Sequence, residues 1–192
     1  VTDRFHVQKL AFEALQEMRV KARWEALDKE SIQIAYAKAC GKIYHAPTFE
    51  NGDSRKQLLA RSIYLLYKKE SLWTESQRIR AGILFREYPD LKKAYYLSMR
   101  LGLIYHQCKH KDTALTRLAR WYDEVEKSGF LAFGRVIRSI QTHYLEIVNF
   151  FDRRSTNAAS ESFNAKIKDF RTQFRGVKDR TFFLFRLTKI YA

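Results

Sequence analysis

The chain is almost without helix breakers, holding 7 Gly and 2 Pro in 192 residues. Between them, apolar residues recur at three- and four-residue spacing, the period of one face of an α-helix, and the alternation of a half-buried strand is hard to find. A mainly α protein is therefore expected. Residues 4–27 carry Val7, Leu10, Ala14, Leu15, Met18 and Ala22 at this spacing. Asp3 then stands at or just before a helix start, where aspartate is a common N-cap. A looser, lysine-rich stretch from Asp28 to His45 suggests a second helix, ended before Pro47 and the turn signal Asn51-Gly52-Asp53-Ser54.

Gln57 to Lys69 follows, with Leu58, Leu59, Ile63, Leu66 and Tyr67 for its buried side. Thr74-Glu75-Ser76-Gln77 has the spacing of a capping box and predicts a helix to about Tyr88. Pro89 and Asp90 restart the chain, and the helix after them runs to about Cys108. Another, from Asp112, stops at Ser128-Gly129. Phe130 to Phe151 gives one more. After a break at Asp152-Arg153-Arg154-Ser155, a helix is expected over 157–175. Gly176 ends it, and Asp179 caps a last helix through Phe182, Phe183, Phe185, Leu187 and Ile190.

Charge narrows the function. With 36 Lys plus Arg against 21 Asp plus Glu, the chain is +15, so a polyanion is the natural partner. Neutralising phosphates releases condensed counterions and supplies most sequence-independent affinity for DNA or RNA. An anionic membrane surface competes as an explanation, but no segment approaches the ~20 apolar residues needed to span a bilayer. Two cysteines, Cys40 and Cys108, are too few for a disulfide framework, and a reducing, cytoplasmic setting is expected. His106-x-Cys108-x-His110 resembles a metal cluster only superficially. On a helix, positions 106 and 108 diverge by about 160°, leaving two histidines to share an ion.

Glu161 poses the sharper question. On a helix over 157–175, Phe163, Ile167, Phe170 and Phe174 cluster on one side, while Glu161, Asn164, Lys168, Thr172 and Arg175 cluster opposite. An outward acid on such a helix is ordinarily just solvated. Yet Arg153, Arg154, Lys166, Lys168, Arg171, Arg175, Lys178, Arg180, Arg186 and Lys189 crowd the last forty residues around it. A carboxylate amid a phosphate-binding surface weakens attraction unless it holds a divalent cation that itself contacts the phosphate. The pattern alone leaves both readings open.

Two segments carry a resemblance. Val1-Thr2-Asp3-Arg4-Phe5-His6-Val7 resembles the segment around the second catalytic aspartate of DDE transposases of bacterial insertion sequences, of the ISL-three type. Thr156-Asn157-Ala158-Ala159-Ser160-Glu161-Ser162-Phe163-Asn164-Ala165-Lys166-Ile167-Lys168 resembles their glutamate helix, followed by a similar aromatic and basic ending from Phe174 to Arg186. Within the type the chain looks closest to the ISAon-one group. The resemblance implies an RNase H-like fold in which two aspartates and a glutamate bind two Mg2+ (or Mn2+) ions. Asp3 would be the second aspartate and Glu161 the glutamate. Residues 1–28 would end the core, 29–140 would form a large helical insertion, and 141–192 would return the core helices with the glutamate.

The implied chemistry is in-line attack on a DNA phosphodiester, first by water and then by a freed 3′ hydroxyl, across metals ~3.5–4 Å apart. Arg153, Arg154, Lys166, Lys168, Arg171 and Arg175 would bind double-stranded DNA. Asn157 and Asn164 flank Glu161 at i−4 and i+3 and could orient it. His6, one turn beyond Asp3, would lie near the site or be an ordinary polar helix residue. The first aspartate and the leading β-strands should precede Val1, so the chain reads as the C-terminal part of a longer transposase, with the N-terminal part and a homo-oligomer as partners. Asp3 and Glu161 offset two of the four charges of two divalent ions, so weak metal affinity and no strand transfer by the chain alone are expected. The competing reading is a non-catalytic, basic helical DNA-binding protein left over from a transposase.

Overall fold

The computed structural model describes residues 4–108, 110–143, 147 and 151, all within one compact unit, Val1–Asp152. Among them the protein is mainly α-helical, with no strand and a single isolated antiparallel bridge between Thr48 and Ser54. No described helix is long and apolar enough to cross a membrane.

The first helix, α1, runs unbroken from Arg4 to Ala39. It joins the two helices expected on either side of Asp28 into one, and the expected domain boundary at 28/29 falls inside it. The polar run Asp28-Lys29-Glu30-Ser31 holds no Gly or Pro to stop a helix. Ser31 Oγ instead donates back to Leu27 O at 2.9 Å, and Lys56 reaches Glu30 at 2.8 Å. The stop is Gly41, at φ 65°. There Lys42 N–H donates to Ala37 O at 2.8 Å and Gly41 N–H to Lys38 O at 3.1 Å, the paired bonds that close a helix through a left-handed residue.

The turn at 49–54 behaves as its sequence suggests. Gly52 takes φ 79°, and Phe49 N–H donates to Asp53 O at 2.9 Å. The next helix, α2 (Arg55–Arg61), is shorter than the Gln57–Lys69 helix expected. The chain beyond it tightens into 3-10 turns at Leu65–Tyr67 and Glu70–Leu72. Side chains from later in the chain bond carbonyls of this tightened segment. Trp73 Nε1 donates to Leu65 O at 2.8 Å and Tyr95 Oη to Lys68 O at 2.7 Å.

The other helices follow the expected punctuation. α3 (Glu75–Glu87) opens on its capping box, with Gln77 N–H donating to Thr74 Oγ1 and Thr74 N–H to Gln77 Oε1. Pro89 fills the first position of α4 (Pro89–Gln107), which ends at Cys108. α5 (Lys111–Ser128) stops at Gly129, φ 69°. The expected helix from Phe130 begins instead with a 3-10 turn at Leu131–Phe133 before α6 (Gly134–Thr142). Ile147 and Phe151 beyond it are helical and buried.

α1 packs against α4, α2, α6 and the turn at Leu131–Phe133, and α4 adds α3 and α5. Val7, Ala11, Ala14 and Leu15 of α1 are buried, as are Leu91, Ala94, Leu97 and Leu101 of α4. Trp121 of α5 is almost fully buried and donates its Nε1–H to Leu97 O at 2.8 Å. Burying such an aromatic is worth a few kcal/mol only when its polar edge is satisfied, as here. Trp73, Phe85 and Tyr95 form a second knot, their ring centroids 5.3 to 6.1 Å apart.

Candidate functional site

Asp3 immediately precedes the first described residue of α1. Asp3 and Glu161 both lie outside the described residues. So do Asn157, Asn164, Arg153, Arg154, Lys166, Lys168, Arg171 and Arg175. The described part of the expected site is therefore the opening of α1 and what holds it. His6 is exposed in the first turn. One turn on, the helix is clamped to α4: Gln8 Nε2 donates to Ser98 O at 3.0 Å, and the buried Ser98 Oγ donates to Ala11 O at 3.1 Å. The clamp needs Gly102, because a Cβ there would stand 2.7 Å from Gln8 Oε1. The first turns of α1, with His6, are thus held to α4 by side chain to backbone hydrogen bonds in both directions.

Beside this clamp is a cleft of about 330 Å³ lined by Gln8, Phe12, Tyr67, Met99, Leu103 and His106 among others. Phe12 and Tyr67 meet edge to face, centroids 5.2 Å apart. Its lining mixes these apolar side chains with Gln8, Lys69 and His106, and none of the described lining residues is a carboxylate. Among the described residues no group of three or more His, Cys, Asp and Glu side chains could hold a metal ion. The His106-x-Cys108-x-His110 pattern is split by the end of α4: Cys108 is buried at the C-cap, while exposed His106 and His110 stand on either side of it.

Several cations of this unit are paired with acids on neighbouring elements. Arg55 meets Glu87 at 2.8 Å, joining α2 to α3. Arg86 meets Glu50 at 3.0 Å, Arg100 of α4 pairs with Glu124 of α5, and Arg135 of α6 pairs with Glu17 of α1. Most of these are exposed on both sides and worth about 0–1 kcal/mol each. Their larger consequence is for charge, since each withdraws a cation from the pool that could meet phosphate.

One node differs. Asp53 is fully buried. It accepts from Arg61, from Arg80 Nε at 2.8 Å and from Asn51 Nδ2 at 2.8 Å. Burial alone would raise its carboxyl, but the hydrogen bonds of Arg80 and Arg61 outweigh it and hold Asp53 below the ordinary carboxylate range. Sequence reasoning read Asn51-Gly52-Asp53-Ser54 as a turn and missed this node. Arg19 was missed too: it is buried in α1 and donates from Nη1 to Leu59 O at 2.9 Å. Burial lowers its pKa. Both residues are structural in these surroundings. The sequence carries no local signal for either, since Asp53 lies in the polar run Asn51-Gly52-Asp53-Ser54-Arg55 and Arg19 between Met18 and Val20 in a helix with charged residues at Glu17 and Lys21.

The family model described as Transposase, of the DDE, ISL-three type, matches residues 1–187. No curated protein and no solved structure matches the chain.

Proposed function

We infer the function from one premise: the chain belongs to the transposase family of the DDE, ISL-three type. Its role is in DNA transposition, its partner is DNA, and divalent metal use is general to the family. The finer reading is that Asp3 and Glu161 are catalytic carboxylates of an RNase H-like core, in a transposase nearest the ISAon-one group. The observation that carries it is the extent of the match, which takes in the positions of both acids and the 157 residues between them.

In this reading the carboxylates of Asp3 and Glu161 are hard oxygen donors suited to Mg2+ or Mn2+. Bound there, the ions supply charge that stabilises the entering and leaving oxygens of phosphoryl transfer. The chain's own residues do the rest. Asn157 and Asn164 orient Glu161. Lys168, two turns along the same helix face, joins Arg153, Arg154, Lys166, Arg171 and Arg175 in holding the insertion-sequence end. Residues 29–140 serve as the helical insertion between the two acids, and the α1–α4 clamp fixes the helix that follows Asp3.

The test is Glu161→Gln in a transposase with all three acids. End cleavage and strand transfer should be lost while end binding is kept. Retained strand transfer would overturn the assignment of Glu161, and a variant that no longer binds DNA would shift its role from chemistry to structure.

A further inference from the structure

The cleft beside the α1–α4 clamp is built on a regular pattern. Gln8 and Phe12 stand one turn apart on α1, and Met99, Leu103 and His106 fall at i, i+4 and i+7 on one face of α4. Tyr67 adds its ring from the 3-10 turn, edge to face with Phe12. The same two rings also line a second cleft of about 410 Å³, together with Lys9 and Glu13. Tyr67 is 45% exposed and Leu103 36%, so aromatic and apolar surface stays open to solvent here.

The rim carries the polar groups. Lys69 lines the first cleft, is exposed, and has no carboxylate partner among the described residues. The acids near it are engaged elsewhere: Glu70 accepts from Tyr96 Oη at 2.7 Å, and Glu13, on the second cleft, meets Lys9 at 3.7 Å. Lys9, Lys68 and Lys69 against Glu13 and Glu70 leave this edge with a positive surplus. His106 brings an imidazole N–H donor to the same rim.

We propose that this cleft is a nucleotide subsite: one unpaired base of a DNA strand lies against Tyr67 and Phe12, beside Met99 and Leu103, with its phosphate at Lys69 and His106. The subsite rests on DNA being the chain's partner and adds the place where a strand that has left its duplex is held. Aromatic rings hold bases by their faces with little regard to sequence, while cations beside them track the backbone. In a duplex those faces are covered by the neighbouring pairs, so the cleft selects a base already out of the stack. An apolar plug from a protein would use the rings but leave Lys69 and His106 idle.

Fluorescence anisotropy of the full chain tests the subsite with two probes, a blunt duplex of mixed sequence and the same duplex carrying a short single-stranded thymidine tail. The tailed probe should bind at least about fivefold more tightly, the lower bound for one base stacked on an aromatic ring. Tyr67→Ala and Leu103→Glu should each erase that preference. Both positions reach the surface, so blunt-duplex affinity and helical circular dichroism should be kept. Lys69→Ala should lower the salt-dependence slope of the tailed probe by about 0.7, the value for one phosphate of a single strand. With wild type, a tail of iodo-deoxyuridine irradiated in the complex should crosslink to Tyr67, Phe12 or Met99. Equal affinity for the two probes, a tail preference that survives both Tyr67→Ala and Leu103→Glu, or crosslinks confined to residues 153–192 would each overturn the subsite and leave DNA binding standing. Binding of neither probe would overturn the DNA reading itself, and the subsite with it.

Discussion

Replacing Asp53 with asparagine is the sharpest probe of how this helical unit is held. The side chain is fully buried, and two arginines from different helices converge on it, Arg61 of α2 and Arg80 of α3. Removing one partner of a buried ion pair costs about 3–5 kcal/mol, because the survivor is left charged and undersolvated. The two arginines differ in how far they can escape that cost. The Arg61 side chain is 54% exposed and can turn to water, whereas that of Arg80 is 17% exposed and cannot.

Asparagine keeps the shape but presents an amide N–H where an arginine already donates. Losing one desolvated pair and one solvated pair places the cost at about 2–3 kcal/mol. For a domain of this size that is a fall of roughly 4–12 °C in Tm. Urea unfolding at pH 7 should show the loss as a lower midpoint at unchanged slope.

The same variant carries a pH signature. The Asp53 carboxyl is held below its unfolded value, so its contribution is present above about pH 4 and is lost as pH falls through the folded pKa. The gap between wild type and Asp53→Asn should therefore hold from pH 7 to about 5 and close below about 4. A loss under about 0.5 kcal/mol, or a gap that widens in acid, would refute the charge-pair account.

Smaller perturbations test other joints. Gly102→Ala gains up to about 1 kcal/mol of helix propensity but pushes Gln8 off Ser98 O, a bond of similar worth. It should be near neutral alone and stabilising in a Gln8→Ala background by urea titration, and neutrality in both would argue against the close contact. Thr74→Ala should cost about 1 kcal/mol by removing the α3 cap, with Thr74→Ser restoring most of it. Lys168→Ala should lower DNA affinity and reduce the salt-dependence slope by about one, read from binding isotherms at several salt concentrations. An unchanged slope would take Lys168 off the phosphate surface.

Much of the helical order was legible because its signals are local. Thr74 with Gln77, Pro89 at a first turn and Gly129 in the left-handed region each act within one turn of chain, and each falls where its chemistry demands. The misread elements are those decided at a distance. α2 ends early where Arg19, 40 positions upstream, takes the carbonyl of Leu59, and Trp73 and Tyr95 bond carbonyls of the tightened segment beyond it. Asp53 looked like any turn aspartate because its arginines lie 8 and 27 positions away. The continuity of α1 was hidden because polar residues near Asp28 resemble a boundary when burial alone is followed, although nothing there breaks a helix. The proposed acids rest on another kind of signal: Asp3 and Glu161 stand out through motif and order, since no periodicity separates a metal ligand from a solvated carboxylate.

Net charge invites the idea that DNA could lie anywhere on so basic a chain, but the pairing argues for a division. Ten of the 36 Lys and Arg and three of the 21 Asp and Glu fall in residues 153–192, so a fifth of the chain holds a surplus of seven of the fifteen positive charges. In the helical unit, arginines of α2, α3, α4 and α6 are tied to acids on neighbouring elements. An arginine so paired must give up its carboxylate before it meets phosphate, which cancels part of the gain from counterion release. The positive surplus is densest along residues 153–192, in agreement with the proposal that this segment holds the DNA end. In the helical unit the buried apolar faces of α1 and α4 set which helices adjoin, and the exposed pairs add little to that choice.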